Sequence, residues 1–416
     1  MTSISLHGRQ YALPVQPTVV ICIDGCDPEY IRRGIADGVC PTIAAFHREG
    51  YGGTADCVMP SFTNPNNVSI VTGAPPAVHG IGGNYFLDRE TGREIMMTDA
   101  SLLRGETLLG LMSRAGVPTA AITAKDKLRK VLGHNMDGIC FSSEKVAACT
   151  DAEHGISGVE AVVGRPAPDM YSGDLSLYVL DAGLALLRQG RARLLYLSLS
   201  DYVQHKHAPG TPESDAFLRA IDDRLRAFVD EGAVVGCVAD HGMSGKSDAD
   251  GRPNVLFLQD ELERAFGEGS ARVICPITDP FVRHHGALGS FVRVYARDAA
   301  HVEPMMQATR QLPGIEVVLA GAEAARLLGL PADREADFVV ISQEAYVVGA
   351  RADQHDLSTI GDHPLRSHGG FSEQPVPFLL SQPLTPEYAA RAAAGGLRNF
   401  DIFEFALNGV SGAVRA

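Results

Sequence analysis

Four short apolar runs constrain this chain more than any other feature, because each delivers an ionisable side chain at or just past its carboxyl end. Val19-Val20-Ile21-Cys22-Ile23 runs into Asp24, and Pro118 to Thr123 is followed by Lys125. Leu194 to Leu199 leads to Asp201, and Ala233 to Ala239 leads to Asp240-His241. The runs have strand length and are rich in branched apolar residues. Amphipathic stretches lie between them, which predicts β-α-β units around a mostly parallel sheet, an α/β class. Ligands bind at the carboxyl edge of such open sheets. One charged strand end is a coincidence; four are a pattern.

After His241 the texture changes. Phe291 to Tyr295 reads as a strand, His301 to Leu312 as a helix, Ile315 to Leu319 as a returning strand and Ala322 to Leu328 as a short helix. Asp337 to Ile341 adds a strand, and Val376 to Leu380 reads as a final one. At 416 residues the chain exceeds one small core. The expected organisation is a catalytic core over 1–250 and 360–416, with a smaller α+β insertion, or cap, over 251–359.

Composition removes several classes of function. A hydrophobic fraction of 45% with 21% charged residues is that of an ordinary globular protein. The net charge of −14 opposes a nucleic-acid binder, although local cations leave room for a small anionic substrate. No apolar run approaches the roughly 18 residues that span a bilayer, and MTSISLHGRQ lacks the apolar stretch of a signal peptide. Eight dispersed cysteines without a CxxC pair read as reduced thiols. The expectation is a cytoplasmic protein with no membrane and no nucleic-acid partner; a homodimer is compatible with the sequence.

Aspartate and histidine suit divalent zinc. Asp201 and His205 are four apart, so a helix starting there puts both on one face. Asp24, Asp240, His241 and His368, the last among the glycines of Arg366-Ser367-His368-Gly369-Gly370, complete a donor set. Singly, each aspartate reads as a cap or turn residue and each histidine as a surface or core residue. Jointly they favour metal. In Pro60-Ser61-Phe62-Thr63-Asn64-Pro65, Asn64 is expected to cap a helix with Pro65 in its first position. Thr63 then sits where a helix dipole favours an anion, though on local sequence alone Ser61 or Thr63 reads better as a cap. Lys125 and Lys127, two apart and extended, would face one side and suit an anionic substrate. Ser244-Gly245-Lys246-Ser247 fails as a P-loop because Asp240 stands where its first glycine belongs. The pair His284-His285 receives no role, and His207, Asp362 and His363 are weaker ligand choices than their neighbours.

Ile23-Asp24-Gly25, Pro60 to Asn66, Val71-Thr72-Gly73 and His79-Gly80-Ile81 together resemble the alkaline phosphatase superfamily, especially its nucleotide pyrophosphatase/phosphodiesterase branch. Asp201-x3-His205, Asp240-His241-Gly242-Met243 and His368-Gly369 continue the likeness in order, from about residue 19 to 380. Within that superfamily Pro60 to Gly73, Ala121 to Arg129, Ser200 to Lys206 and Arg366 to Phe371 are most similar to enzymes that break the carbon–phosphorus bond of phosphonoacetate. The resemblance implies an alkaline phosphatase-like core and two zinc ions. One would be held by Asp24, Thr63, Asp240 and His241, the other by Asp201, His205 and His368. It further implies Thr63 as the nucleophile, Asn84 and His205 as neighbours of the substrate, and Lys125 and Lys127 at its anionic end. The nearest alternative is a phosphodiesterase or nucleotide pyrophosphatase using the same metals. A mutase with a serine nucleophile fits less well, as does a sulfatase, whose modification motif is absent. An inactive scaffold is disfavoured by the complete donor set.

Overall fold

The apolar runs pair side by side. In the computed structural model, which describes residues 2–97, 100–277, 286–361 and 363–412, they belong to one seven-stranded sheet. Its first six strands are β1 (Thr18–Cys22), β2 (Tyr51–Asp56), β3 (Thr119–Thr123), β4 (Ile139–Ser142), β5 (Leu194–Ser198) and β6 (Val234–Val238). A second sheet contains β7 (Ala271–Ile274), β8 (Phe291–Ala296), β9 (Ile315–Ala320) and β10 (Phe338–Ser342). The chain then returns to the first sheet with β11 (Pro375–Leu380).

The order across the first sheet is β2-β11-β6-β1-β5-β3-β4. From β6 to β4 every pair is parallel, while β11 runs antiparallel to both β6 and β2. The expected mostly parallel, helix-flanked α/β core is therefore present. All five residues of β1, β3, β5 and β6 are buried, as expected for strands covered on both faces. Helices α1 (Thr63–Thr72), α2 (Asp126–Leu132), α3 (Asp174–Arg188) and α4 (Pro212–Asp230) follow strands of this sheet. α4 shows why such segments become helices. Thr211 accepts from the Ser214 amide as its cap, Pro212 opens the first turn, and Leu218, Ile221, Leu225 and Phe228 form its buried stripe.

The four strands that carry the ionisable ends are neighbours: β6, β1, β5 and β3. Cys22 pairs with both Val238 and Ser198, and Ser198 pairs with Thr123. Their carboxyl ends are thus level, and the residues just beyond them enter one space.

The second sheet is antiparallel throughout, in the order β7-β8-β10-β9. It carries α5 (Val302–Thr309) and α6 (Gly321–Leu328). The expected helix over His301 to Leu312 is shorter, because the residue preceding Pro313 is steered out of the helical region. Phe291, Val292, Val294, Phe338 and Val340 build a separate apolar cluster, which also takes in Met59 and Phe62 from the loop before α1. His284, His285 and Asp362 lie outside the described residues. Among the described residues no helix is long and apolar enough to cross a membrane.

Candidate metal centre

Asp24, Asp201 and Asp240 leave the ends of β1, β5 and β6 and are all but fully buried. Gly25 allows two of these ends to approach: with φ at +69°, a Cβ there would stand 3.1 Å from the Cβ of Asp201. Thr63 comes from the other side, at the first position of α1, with its Oγ1 3.3 Å from His241 Nε2. The expected cap is corrected. Phe62 occupies the cap position without a side-chain bond, so Asn64 and Pro65 lie inside the first turn. Pro65 fits there because the first amides of a helix have no partner to lose. Neither Ser61 nor Thr63 is a cap, and the Thr63 hydroxyl faces His241 instead.

The three histidines are oriented alike. His241 Nδ1 lies 2.8 Å from the Gly242 carbonyl, His368 Nδ1 2.8 Å from that of Ser61, and His205 Nδ1 2.8 Å from that of Arg366. A carbonyl only accepts, so each Nδ1 carries the proton and each Nε2 offers a lone pair inward. This backbone anchoring of the far nitrogen is what metal-ligating histidines require. His205 Nε2 then faces Asp201 Oδ2 at 2.9 Å, and His241 Nε2 faces Asp24 Oδ1 at 3.3 Å. Lone pair opposes lone pair unless a cation or a proton lies between. Asp24 Oδ1 is buried and accepts no hydrogen bond. Divalent cations suit this donor set.

Two groups of donor atoms lie within 4.8 Å of one another: Asp24, Asp240 and His241, and Asp201, His241 and His368. The first matches the expected site apart from Thr63, which adjoins it. In the second, His241 takes the place expected of His205, because its ring stacks on His368 with centroids 3.5 Å apart. His205 remains against Asp201, but through a single turn closed by its amide on the Asp201 carbonyl rather than through a helix.

Cations already enter the cluster. Lys125 Nζ lies 2.8 Å from Asp201 Oδ1 and 3.3 Å from Asp24 Oδ2. Burial would depress its pKa, but Asp201 and Asp24 outweigh that and hold it above the ordinary value. Burial and the neighbouring Lys125 push Lys127 down to about 7. The two lysines do not share an extended segment. Lys125 caps α2 and Lys127 lies in its first turn, since Asp126 starts a helix directly after the strand. Burial, reinforced by Asp24, raises the Asp240 pKa, while Asp240 and Asp24 outweigh the burial of His241 and hold its pKa up, near 9. Without a metal, a proton therefore takes the place between His241 Nε2 and Asp24 Oδ1 that a cation would fill. Burial, with His241 and His205 beside it, holds His368 neutral.

Asn84 is buried and donates from Nδ2 to the Ile277 carbonyl at 3.3 Å, next to the start of the second sheet. The site also uses residues that sequence reasoning passed over. Asn67 Nδ2 donates to the Thr63 carbonyl and to Asp240 Oδ2, each at 3.0 Å. Its Oδ1 accepts from Tyr196 at 2.7 Å and Ser198 at 2.9 Å, so one amide ties α1 to the ends of β5 and β6. Its spacing of four from Thr63, one helical turn, was the available signal. Ser61 donates to the Gly370 carbonyl at 2.8 Å and accepts from the Gly369 amide at 3.1 Å, which holds the His368 loop.

The profile of the type I phosphodiesterase / nucleotide pyrophosphatase family matches residues 18–369. The chain belongs to this family. Its fold is shared with murine ectonucleotide pyrophosphatase/phosphodiesterase 5, at a TM-score of 0.59 and 16% identity over 94% of both chains. The phosphonoacetate hydrolase of Sinorhizobium meliloti 1021, solved in complex with phosphonoacetate, is 45% identical. That comparison covers 97% of this chain and 98% of the other, with a TM-score of 0.91. A phosphonoacetate hydrolase of Penicillium oxalicum is 78% identical over 32 residues, 8% of this chain. The chain spans 44% of that curated relative, so less than half its length. Within the family, the cluster described above belongs to an enzyme.

Proposed function

We propose that the chain hydrolyses phosphonoacetate to acetate and phosphate by breaking the carbon–phosphorus bond. The observation that carries this reading is the 45% identity, over 97% of the chain, to the Sinorhizobium meliloti enzyme solved with phosphonoacetate. The chemistry of the site agrees with it.

Thr63 Oγ1 attacks phosphorus, the new oxygen–phosphorus bond gives a phosphothreonine, and the carbon–phosphorus pair leaves on carbon. Delocalised into the carboxylate, that pair makes the enolate of acetate, which takes a proton from water to give acetate, while the proton of the Thr63 hydroxyl passes to water. Lys125 and Lys127 bind the carboxylate and offset its growing charge. The open amides at the start of α1 and the side chain of Asn84 receive the phosphonyl oxygens, with His205 at their edge. Two zinc ions, one at Asp24, Thr63, Asp240 and His241 and the other at Asp201, His205 and His368, would supply positive charge that favours the deprotonated nucleophile and steadies anionic oxygen. Water then hydrolyses the phosphothreonine and restores Thr63. In this reading residues 251–359 form a cap on the core of 1–250 and 360–416. A cytoplasmic setting is supported by the eight cysteines, all free thiols.

The test is phosphate release, with zinc added, from phosphonoacetate, phosphonoacetaldehyde, 2-aminoethylphosphonate and a p-nitrophenyl phosphodiester. Phosphonoacetate should be cleaved at least about 100-fold faster than the others, a gap equivalent to about 2.7 kcal/mol of barrier. Preference for the diester would instead favour the phosphodiesterase reading that the family name supports.

A further inference from the structure

Lys246 and Glu373, 127 residues apart, form an ion pair at 2.9 Å with both side chains at 0% exposure. Nothing in the proposed chemistry uses it. Such a pair is tolerated only when its remaining hydrogen-bonding capacity is filled. Here it is filled on both sides. The three ammonium hydrogens of Lys246 go to Glu373 Oε1, to Ser290 Oγ at 2.8 Å and to the Glu344 carbonyl at 2.6 Å. Glu373 Oε1 also accepts from Ser244, and its Oε2 accepts from the Gly370 amide at 3.0 Å.

What matters is where these bonds lead. Gly370 is two residues past His368. Ser290, immediately before β8, donates from its amide to the His368 carbonyl at 3.0 Å. His368 is therefore enclosed in a ring that runs through Ser290, Lys246, Glu373 and Gly370. Its own loop supplies little support, since only Arg366–Ser367 is paired as a strand. Gly369 takes φ of +125°, and a Cβ there would stand 2.4 Å from the Phe62 ring. A segment bent this way needs external anchors to present an imidazole in one place.

We propose that the buried Lys246–Glu373 pair is a positioning device that sets the His368 loop for metal binding and ties it to the second sheet. The proposal rests on the metal-centre reading above. It is selective by construction. The Glu373 carboxylate bonds Gly370 beside His368 and also Ser244 and Lys246, three and five residues past His241. The Gly242 amide, however, keeps its 2.7 Å bond to the Glu373 backbone carbonyl when the side chain changes, and Asp24 and Asp240 are held by strand ends. Removing the charge should therefore weaken one metal site and spare the other.

The experiment titrates the metal-stripped full chain with cobalt(II), read by its d–d absorption, for wild type, Glu373→Gln and the paired Lys246→Met/Glu373→Gln. Wild type should bind two equivalents. Each variant should keep one equivalent within about threefold and bind the other about 10- to 100-fold more weakly, the usual effect of losing a group that orients a ligand. If the double variant fails to fold, Glu373→Gln alone decides. Two equivalents bound as tightly as in wild type would overturn the proposal, and so would an equal loss at both sites with a lowered melting temperature. A wild type binding fewer than two ions sinks the metal-centre reading and this proposal together. A two-metal wild type with unaffected variants sinks only the positioning role.

Discussion

The seven-stranded and four-stranded sheets both bury apolar strands, yet only the first gathers donors. β6, β1, β5 and β3 lie next to one another and run the same way, so their carboxyl ends are level and four loops open into one space. In the second sheet every pair is antiparallel, so consecutive strand ends point in opposite directions. No set of residues following its strands can converge in the same way. Its contribution is backing: it packs on Phe62 beside Thr63 and pins the carbonyl of His368. Parallel topology collects the chemistry, and antiparallel packing holds it still.

This division of labour breaks most sharply at Thr63. Thr63→Ala should lower turnover on the order of 10⁴-fold or more, as loss of a covalent nucleophile does, while the melting temperature changes little. Phe338→Ala, in the centre of the second sheet, should do the opposite. It removes a ring with 0% exposure and should cost about 3–5 kcal/mol of stability, yet the folded fraction should turn over normally. Comparable losses of turnover per folded molecule in both variants would erase the distinction.

The donor set can be divided next. Asp201→Ala and Asp240→Ala should each remove one of two bound metals, seen by metal analysis after dialysis, and each should spare the other site. A more modest effect is expected at the carboxyl end of β3. Lys125→Met or Lys127→Met should reduce kcat/KM for phosphonoacetate about 10- to 150-fold, from a charge-assisted contact of about 1.5–3 kcal/mol. A phosphodiester has no carboxylate to lose, and equal losses on both substrates would make the lysines structural.

A separate effect, away from the donor cluster, is on stability against pH. His79 Nδ1 accepts from the Ile81 amide at 3.2 Å, so Nε2 carries the proton toward Ser69 Oγ at 2.9 Å. Burial, helped by His7, pushes its pKa down to about 3. Above pH 6.5 neither folded nor unfolded chain protonates this ring, and it has no effect. Below 6.5 the unfolded chain takes up a proton that the folded one refuses until about pH 3, so stability falls by about 1.4 kcal/mol per pH unit. Urea unfolding of metal-stripped wild type and His79→Asn between pH 7 and 4 should show a shallower acid limb in the variant. Identical slopes would contradict a neutral His79.

The sheet and the donors could be read from the sequence because both are local signals: apolar runs with ionisable residues at their ends. The errors are errors of the next turn of chain. Helix α1 starts two residues earlier than Asn64-Pro65 suggested, since proline is accepted anywhere in a first turn. Lys127 lies in a helix because Asp126 begins one immediately, and His205 reaches Asp201 through one turn without a helix behind it. What the sequence could not display is long-range pairing. Lys246, dismissed with a failed phosphate loop, meets Glu373 across 127 residues, and no spacing rule joins them.

The proposed chemistry requires a two-metal centre around Thr63, held by the level strand ends. Its most direct test is to titrate the metal-stripped chain with zinc while following phosphate release from phosphonoacetate. Turnover should rise with the second equivalent and saturate at two ions per chain. Full turnover with one equivalent, or with none, would contradict it.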